Sequence, residues 1–310
     1  MPLQTHYTIS SETGLSSVTS LIVGSTSAVI IDPPFLVPDA KSVVEFVKSK
    51  TSNPVVGVFV THHHPDHYFS ANPILEAFPT ARFLAHPYVR AGIDREYAEK
   101  VIYWPNVFGK ENVPANPAKP EVYNYSFFIL PGDEASPVCL LGPVQGDSID
   151  HTLFWLPTER TIITGDAVYA RSTHAWVEEI ETPQILDAWR LTLKLIESLN
   201  PQNIIPGHIE QGWTPNAKED MAHMHKYLDL FESKITRPSQ EGGKKPGVDD
   251  LFKTFKEAFP QCEKNLDFFL GKMSNAFGEG GEVWEENRMH DVKSRQKGVL
   301  EGFLLEAKAK

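Results

Sequence analysis

The sequence predicts an α/β fold made of two strand-rich halves with helices on their outer faces. Three observations carry this reading. Short apolar runs recur at 18–23, 28–32, 55–60, 82–85, 153–156, 161–164 and 203–205, the lengths expected of buried strands. Segments with apolar residues at helical spacing fall between several of them, so strand, loop and helix alternate. Histidines and aspartates gather at the strand ends, where open α/β layers tend to carry their sites.

In chain order, the runs 18–23 and 28–32 flank Gly24-Ser25-Thr26-Ser27 and read as a hairpin. Residues 39–50 set Val43, Val44, Phe46 and Val47 among charges, an amphipathic helix leading into the strand 55–60. A short helix over 70–78, a strand over 82–85 and a helix over 88–100 follow. Residues 102–120, with Tyr103, Trp104, Pro105, Phe108, Pro114, Pro117 and Pro120, break the regularity. This segment is either a binding wall or a surface loop whose aromatics pack onto the core. Strands resume over 121–130, 138–141, 153–156 and 161–164, then a helix over 183–199 and a strand over 203–205. A long helix over 216–235 precedes a polar stretch, and two helices over 248–259 and 262–273 carry Phe252, Phe255, Phe259, Phe268 and Phe269 on apolar faces. The chain is thus expected to comprise a catalytic domain over 1–235, a polar linker over 236–247 and a helical extension over 248–310 packed on the first unit.

A chain of 310 residues with 41% hydrophobic content can bury a large core. No stretch approaches the roughly 18 unbroken apolar residues of a membrane span. The start Met1-Pro2-Leu3-Gln4-Thr5-His6 has neither a basic opening nor an apolar core, so a cytoplasmic protein is expected. Cys139 and Cys262 are too few for a disulfide framework. The net charge of -11 argues against a nucleic-acid partner.

The most informative stretch is Thr61-His62-His63-His64-Pro65-Asp66-His67, directly after the apolar run 55–60. Imidazole and carboxylate suit zinc and related first-row metals. In extended backbone, side chains two apart point the same way, so His62 and His64 can reach one ion while Asp66 and His67 turn toward another. His63 is out of phase with its neighbours. A polar loop merely rich in histidine is the alternative.

A strand leading into His-x-His-x-Asp-His resembles the metallo-β-lactamase superfamily, and the rest of the chain bears out the likeness. In that family's order, His151 stands where the third ligand of the first metal is expected, Asp166 in Thr164-Gly165-Asp166 resembles the bridging carboxylate, and His208 in Pro206-Gly207-His208 resembles the last ligand of the second metal. The resemblance spans about residues 17–215. It implies an αβ/βα four-layer sandwich of the metallo-β-lactamase type with a C-terminal helical extension. It also implies two Zn2+, with Fe or Mn possible at the same ligands, held by His62, His64, His151, Asp66, His67, Asp166 and His208. Asp32, at the end of an early strand, resembles a position that supports the metal loop from behind, although a strand-ending turn aspartate would look the same.

Two cations a few ångströms apart acidify a shared water from a pKa of about 15.7 toward about 7, so hydrolysis by the resulting hydroxide is the implied chemistry. Tyr169, three residues after Asp166, looks like the tyrosine of the family's lactone hydrolases, which hydrogen-bonds the reacting group. Asp66, Asp166 and Tyr169 are therefore the expected catalytic residues, with Trp104, Phe108, Tyr68, His174 and Trp176 as candidate substrate contacts. The glyoxalase II branch shows a different pattern where this chain has Tyr68 and Asp166-Ala167-Val168. The implied function is opening of a cyclic ester or amide of a small molecule. A thioesterase of glyoxalase II or acyl-carrier type is the alternative, followed by an iron-dependent dioxygenase or a non-catalytic metal-binding protein.

Overall fold

The structure is a computed structural model that describes residues 2–180 and 182–282. Its first half contains β1 (Gln4–Ile9), β2 (Val18–Val23), β3 (Ala28–Ile31), α1 (Val37–Lys50), β4 (Val55–Val60), a single 3-10 turn (Pro65–His67), α2 (Ala71–Ala77), β5 (Arg82–Ala85), α3 (Pro87–Phe108) and β6 (Glu121–Val122). The six strands form one sheet in sequence order. β1, β2 and β3 pair antiparallel, and β3 to β6 pair parallel. The second half contains β7 (Phe127–Phe128), β8 (Val138–Val144), β9 (His151–Leu156), β10 (Thr161–Tyr169), α4 (Pro183–Ser198) and β11 (Asn203–His208). These strands form a five-stranded sheet in the order β11-β10-β9-β8-β7.

Period-two side-chain alternation turns the sheets into layers. Val29, Ile31 and Phe59 point inward and meet Leu140, Phe154, Ile163 and Ile205 of the other sheet in one core. Their neighbours Leu21, Ile30, Val58 and Val60 point outward and pack on Val43, Val44 and Val47 of α1, Ile74 of α2 and Ile93 of α3. On the far side, Leu153, Ile162 and Ile204 pack on Trp189, Leu193 and Ile196 of α4. The molecule is therefore a mixed α/β sandwich of four layers with helices outside both sheets. Two backbone links close it at one edge, Thr152 N to Thr61 O at 2.7 Å and Ile209 N to Ser16 O at 3.2 Å.

The local expectations hold for most elements and miss at four places. β1 was not foreseen, because Gln-Thr-His-Tyr-Thr-Ile is a half-buried edge strand with little apolar signal. Residues 121–130 do not form one strand: β6 ends one sheet and β7 ends the other, so this segment carries the chain between them. The helix expected over 88–100 continues through Pro105 to Phe108. Proline removes one helical hydrogen bond, and edge-on contacts from Phe35 to Trp104 and Phe108, at 4.8 and 4.9 Å between ring centres, hold the last turn in place.

The fourth difference concerns the C-terminal helices. α5 (Ala217–Phe231) runs through a π-helical turn (Glu232–Thr236) into α6 (Arg237–Gln240), so the first part of the expected linker is helical. α7 (Val248–Ala258) follows, but the helix expected over 262–273 begins only after Asn265, whose φ of 52° is left-handed. A π-helical turn (Asp267–Gly271) then leads into α8 (Lys272–Phe277). Leu251, Phe255, Phe259, Phe269, Leu270 and Met273 join the core of the second sheet with Tyr227 and Trp189. The remainder of the expected extension, 283–310, lies outside the described residues.

Two buried histidines under this helical layer make stability depend on pH. Burial lowers His174 to about 3 and His223 to about 4, although the carbonyl of Thr173 accepts a hydrogen bond from His223 Nε2 at 3.0 Å. Both are neutral in the folded chain, whereas the unfolded chain takes up protons below about 6.5. Stability is therefore fully present above that pH and falls as pH drops from about 6.5 toward 4, each histidine costing up to about 1.4 kcal/mol per pH unit. His223→Gln keeps a donor for Thr173 and removes one titrating group. Thermal melts between pH 7 and 4 should show a shallower acid slope in this variant, and an unchanged slope would contradict the assignment.

Candidate metal centre

The loop after β4 is fixed by Asp32, whose backbone sits at φ 62° at the end of β3. One carboxylate oxygen accepts the Thr61 backbone N–H at 2.7 Å, and the other accepts the Thr61 hydroxyl at 2.7 Å and lies 3.0 Å from His67 Nδ1. The expected support role of Asp32 thus has a geometric basis. Because Thr61 gives its only hydroxyl proton to Asp32, His62 Nδ1, 3.0 Å from the same oxygen, must be the donor in that pair. His62 Nε2 is left with its lone pair facing the interior.

The same plan recurs around the cluster. His208 Nδ1 lies 2.8 Å from the Leu15 carbonyl, His151 Nδ1 3.0 Å from the Ser148 carbonyl and His64 Nε2 2.9 Å from Glu179 Oε1. Each of these imidazoles, with His62 and His67, is anchored through one nitrogen and directs the other toward shared space, as metal-ligating histidines do. The Nε2 of His63 instead lies 3.4 Å from Glu96 Oε1.

β10 and β11 supply the rest. β9 runs antiparallel to β10, so His151 at its start lies at the same sheet edge as the end of β10. Asp166 reaches His67 Nε2 at 3.1 Å and His208 Nε2 at 3.0 Å with its two oxygens. Asp66 lies 3.6 Å from His67 Nε2 and 3.3 Å from His208 Nε2. Gly207 is required here, because a Cβ at that position would stand 1.9 Å from Asp166 Oδ1. Two groups of possible ligand atoms result, each with all its atoms within 4.8 Å of one another: His62, His64, Asp147 and Asp166, and Asp66, His67 and His208. A third such group, His63, His64 and Glu179, shares His64.

The donor set suits a cation. His62 Nε2, His151 Nε2 and Asp147 Oδ1 are buried with no hydrogen-bond partner, a costly state that a cation would relieve. Protons otherwise compensate charge in the cluster. Burial opposes charging His64, yet Asp147 and Glu179 outweigh it and hold its pKa at about 10. His208 is likewise held at about 10, by Asp166 and Asp66 against burial. Burial, reinforced by Asp166, pushes Asp147 up to about 7. Nitrogen and oxygen donors without a thiol are compatible with zinc, iron or manganese.

Asp147 was not foreseen as part of this cluster; in the stretch ahead of β9 only His151 was expected to be a ligand. The other sequence candidates spread out. The Tyr169 hydroxyl lies 2.5 Å from Asp166 Oδ2 and 2.9 Å from Asp147 Oδ2, inside the cluster. Tyr68 is fully buried among core apolar side chains, and Trp104 and Phe108 pack on Phe35. His174 is buried against Tyr227 and Phe259. Trp176 stacks on Phe268 at 5.2 Å, next to Phe269, whose ring meets Tyr169 at 6.1 Å and His208 at 5.6 Å. The C-terminal helical layer therefore reaches the cluster, which no local sequence signal indicated.

Comparison with known proteins agrees with this architecture. The family model described as the metallo-beta-lactamase superfamily matches residues 13–208. A search of curated proteins finds no match to this chain. Among solved structures, a metallo-beta-lactamase from Pontibacter korlensis is similar at 14% identity and a TM-score of 0.50, with 73% of this chain and 94% of that chain covered. The metallo-beta-lactamases TMB-1 and DIM-1 are each 18% identical, with TM-scores of 0.47 and 0.48, and the match covers 74% of this chain and 92% of each of theirs. At such identities the structures speak to the fold alone. The family match takes in both halves of the sandwich and every cluster residue from Asp32 to His208, so this chain belongs to the metallo-β-lactamase superfamily, whose members are mostly metal-dependent hydrolases.

Proposed function

We propose that the protein is a metal-dependent hydrolase that opens a cyclic ester or amide, a lactone or lactam, of a small molecule. The observation that carries this reading is the set of buried imidazoles anchored on their outer nitrogens and converging on Asp166. Two divalent cations, zinc by donor type, would be held by His62, His64 and His151 on one side and Asp66, His67 and His208 on the other, with Asp166 between them. Such a pair supplies a water acidic enough to attack an acyl carbon near neutral pH and a counter-charge for the leaving group.

The protein's own groups orient that chemistry. Asp32 and Glu179 fix the His67 and His64 rings, while the buried Asp66 and Asp166 carboxylates supply negative charge. Burial raises the pKa of Tyr169 well above 10, so it is a phenol at neutral pH and can donate to a substrate carbonyl or leaving oxygen. It has one proton to give and two carboxylates beside it, so that donation requires release from both Asp166 and Asp147. Phe268, Phe269 and Trp176 offer an apolar wall beside the cluster. The net charge of -11 disfavours nucleic acid, and among the described residues no helix is long and apolar enough to cross a membrane. We place the protein in the cytoplasm, where Cys139 and Cys262, both free thiols in the structure, stay reduced.

Parallel assays with lactone, lactam and thioester panels test the substrate class. Turnover of cyclic substrates that is abolished in Asp66→Ala and His208→Ala supports the proposal. Untouched activity in those variants contradicts the two-cation mechanism, and turnover of thioesters alone contradicts the substrate class. Tyr169→Phe is expected to lower kcat on a lactone by about 100-fold or more with metal content unchanged; full activity would remove Tyr169 from the chemistry. Because His64 and His208 hold protons up to about 10 without a cation, metal uptake at pH 7 to 8 should release protons and strengthen as pH rises. An indicator dye in weak buffer reads this directly, and uptake without proton release would contradict it.

A further inference from the structure

We propose that the first cation position has a fourth protein ligand, the Asp147 carboxylate, in addition to His62, His64 and His151. The inference rests on the dinuclear reading above and makes its two positions unequal in ligand number.

Three rings turn their inner nitrogens toward this one carboxylate. Their outer nitrogens are occupied: His62 Nδ1 by the Thr61 hydroxyl, His64 Nε2 by Glu179 Oε1 and His151 Nδ1 by the Ser148 carbonyl. An imidazole that binds a metal is neutral and keeps one N–H, so the outer nitrogens hold the protons and the inner ones offer lone pairs. Asp147 meets all three. Its Oδ1 lies 3.9 Å from His62 Nε2 and 3.3 Å from His151 Nε2, and its Oδ2 lies 3.1 Å from His64 Nδ1. Ligand atoms about 2.0–2.2 Å from one tetrahedral ion stand about 3.3–3.6 Å from one another, and the three contacts bracket that spacing. Asp147 is fully buried, and its Oδ1, His62 Nε2 and His151 Nε2 all lack a hydrogen-bond partner. Three orphaned acceptors facing one another repel unless a positive charge stands among them.

The second carboxylate oxygen has a contact of its own. The Tyr169 hydroxyl lies 2.9 Å from Asp147 Oδ2, so Oδ1 is the oxygen left for a cation. Asp166 aside, the first position then has four protein ligands, a closed set, whereas Asp66, His67 and His208 give the second position three and leave it open to water or substrate. The extra negative charge also favours retention of a divalent ion at the first position. Asp147 thereby does more than orient Tyr169: its charge becomes part of the cation's own shell.

Co2+ titration of the full-length metal-free protein, read by visible absorption and by bound metal after desalting, tests this without an activity assay. Asp147→Ala is expected to weaken one of the two equivalents by more than the roughly 10- to 100-fold typical of a residue that only orients a ligand, and to alter the bands of that equivalent alone. Asp147→His, which returns a ligand, should recover it. Asp147→Asn keeps the shape and an acceptor for Tyr169 but not the charge, so a ligand role costs it affinity too, whereas a positioning role leaves it near wild type. Wild-type affinity and bands in Asp147→Asn, or both equivalents held as in wild type by Asp147→Ala, overturn the assignment. Should Asp147→Ala fail to fold, Asp147→Asn decides alone by the same criterion. Wild type that binds no stoichiometric metal overturns the dinuclear reading itself, a distinct result from two undisturbed equivalents in the variants.

Discussion

The arrangement of this molecule turns on Asp32. A single buried carboxylate in left-handed backbone receives the Thr61 amide, the Thr61 hydroxyl and faces the His67 ring. Through Thr61 it also settles which nitrogen of His62 carries the proton. Without this anchor, a loop containing three consecutive histidines and an aspartate would have no reason to present two of them to one point and two to another. Burying so many ionisable groups is costly unless every charge meets its opposite; the sandwich meets part of that cost by bringing Asp32, Asp66 and Asp166 against His67 and His208, and leaves His62 Nε2, His151 Nε2 and Asp147 Oδ1 unpartnered.

The glycines and cross-sheet links serve the same end. Gly207 lets β11 approach Asp166 more closely than any Cβ would permit. The Thr152 to Thr61 bond fixes the second sheet against the metal loop, and Ser17 pairs with His208 across the sandwich. The helical layer at the end of the chain adds Phe269 against His208 and Tyr169, which dries one side of the cluster. In a water-poor setting each electrostatic contact counts for more.

Much of this was legible in the amino-acid sequence, for a physical reason. His62, His64, Asp66 and His67 lie in one loop after an apolar strand, so spacing alone groups them as candidate ligands. Asp166 and His208 each follow a short apolar run, but such positions are ordinary taken singly, and the family resemblance is what picked them out. Asp147 and His151 are different. They lie four residues apart, His151 at the start of β9, and only the fold sets Asp147 against His64 and Tyr169. The crossover at 121–130, the reach of Phe269 and the extension of α3 through Pro105 depend on packing between distant segments, which leaves no periodic signal.

The central claim is that these buried imidazoles and carboxylates are arranged around a pair of cations. Anomalous X-ray diffraction from crystals of the metal-loaded protein tests it most directly. The account predicts two peaks about 3.5–4 Å apart, one beside His62 and His64, the other beside Asp66, His67 and His208, with Asp166 between them. A cluster with no peak, or a lone peak at His63 and Glu179, would contradict it.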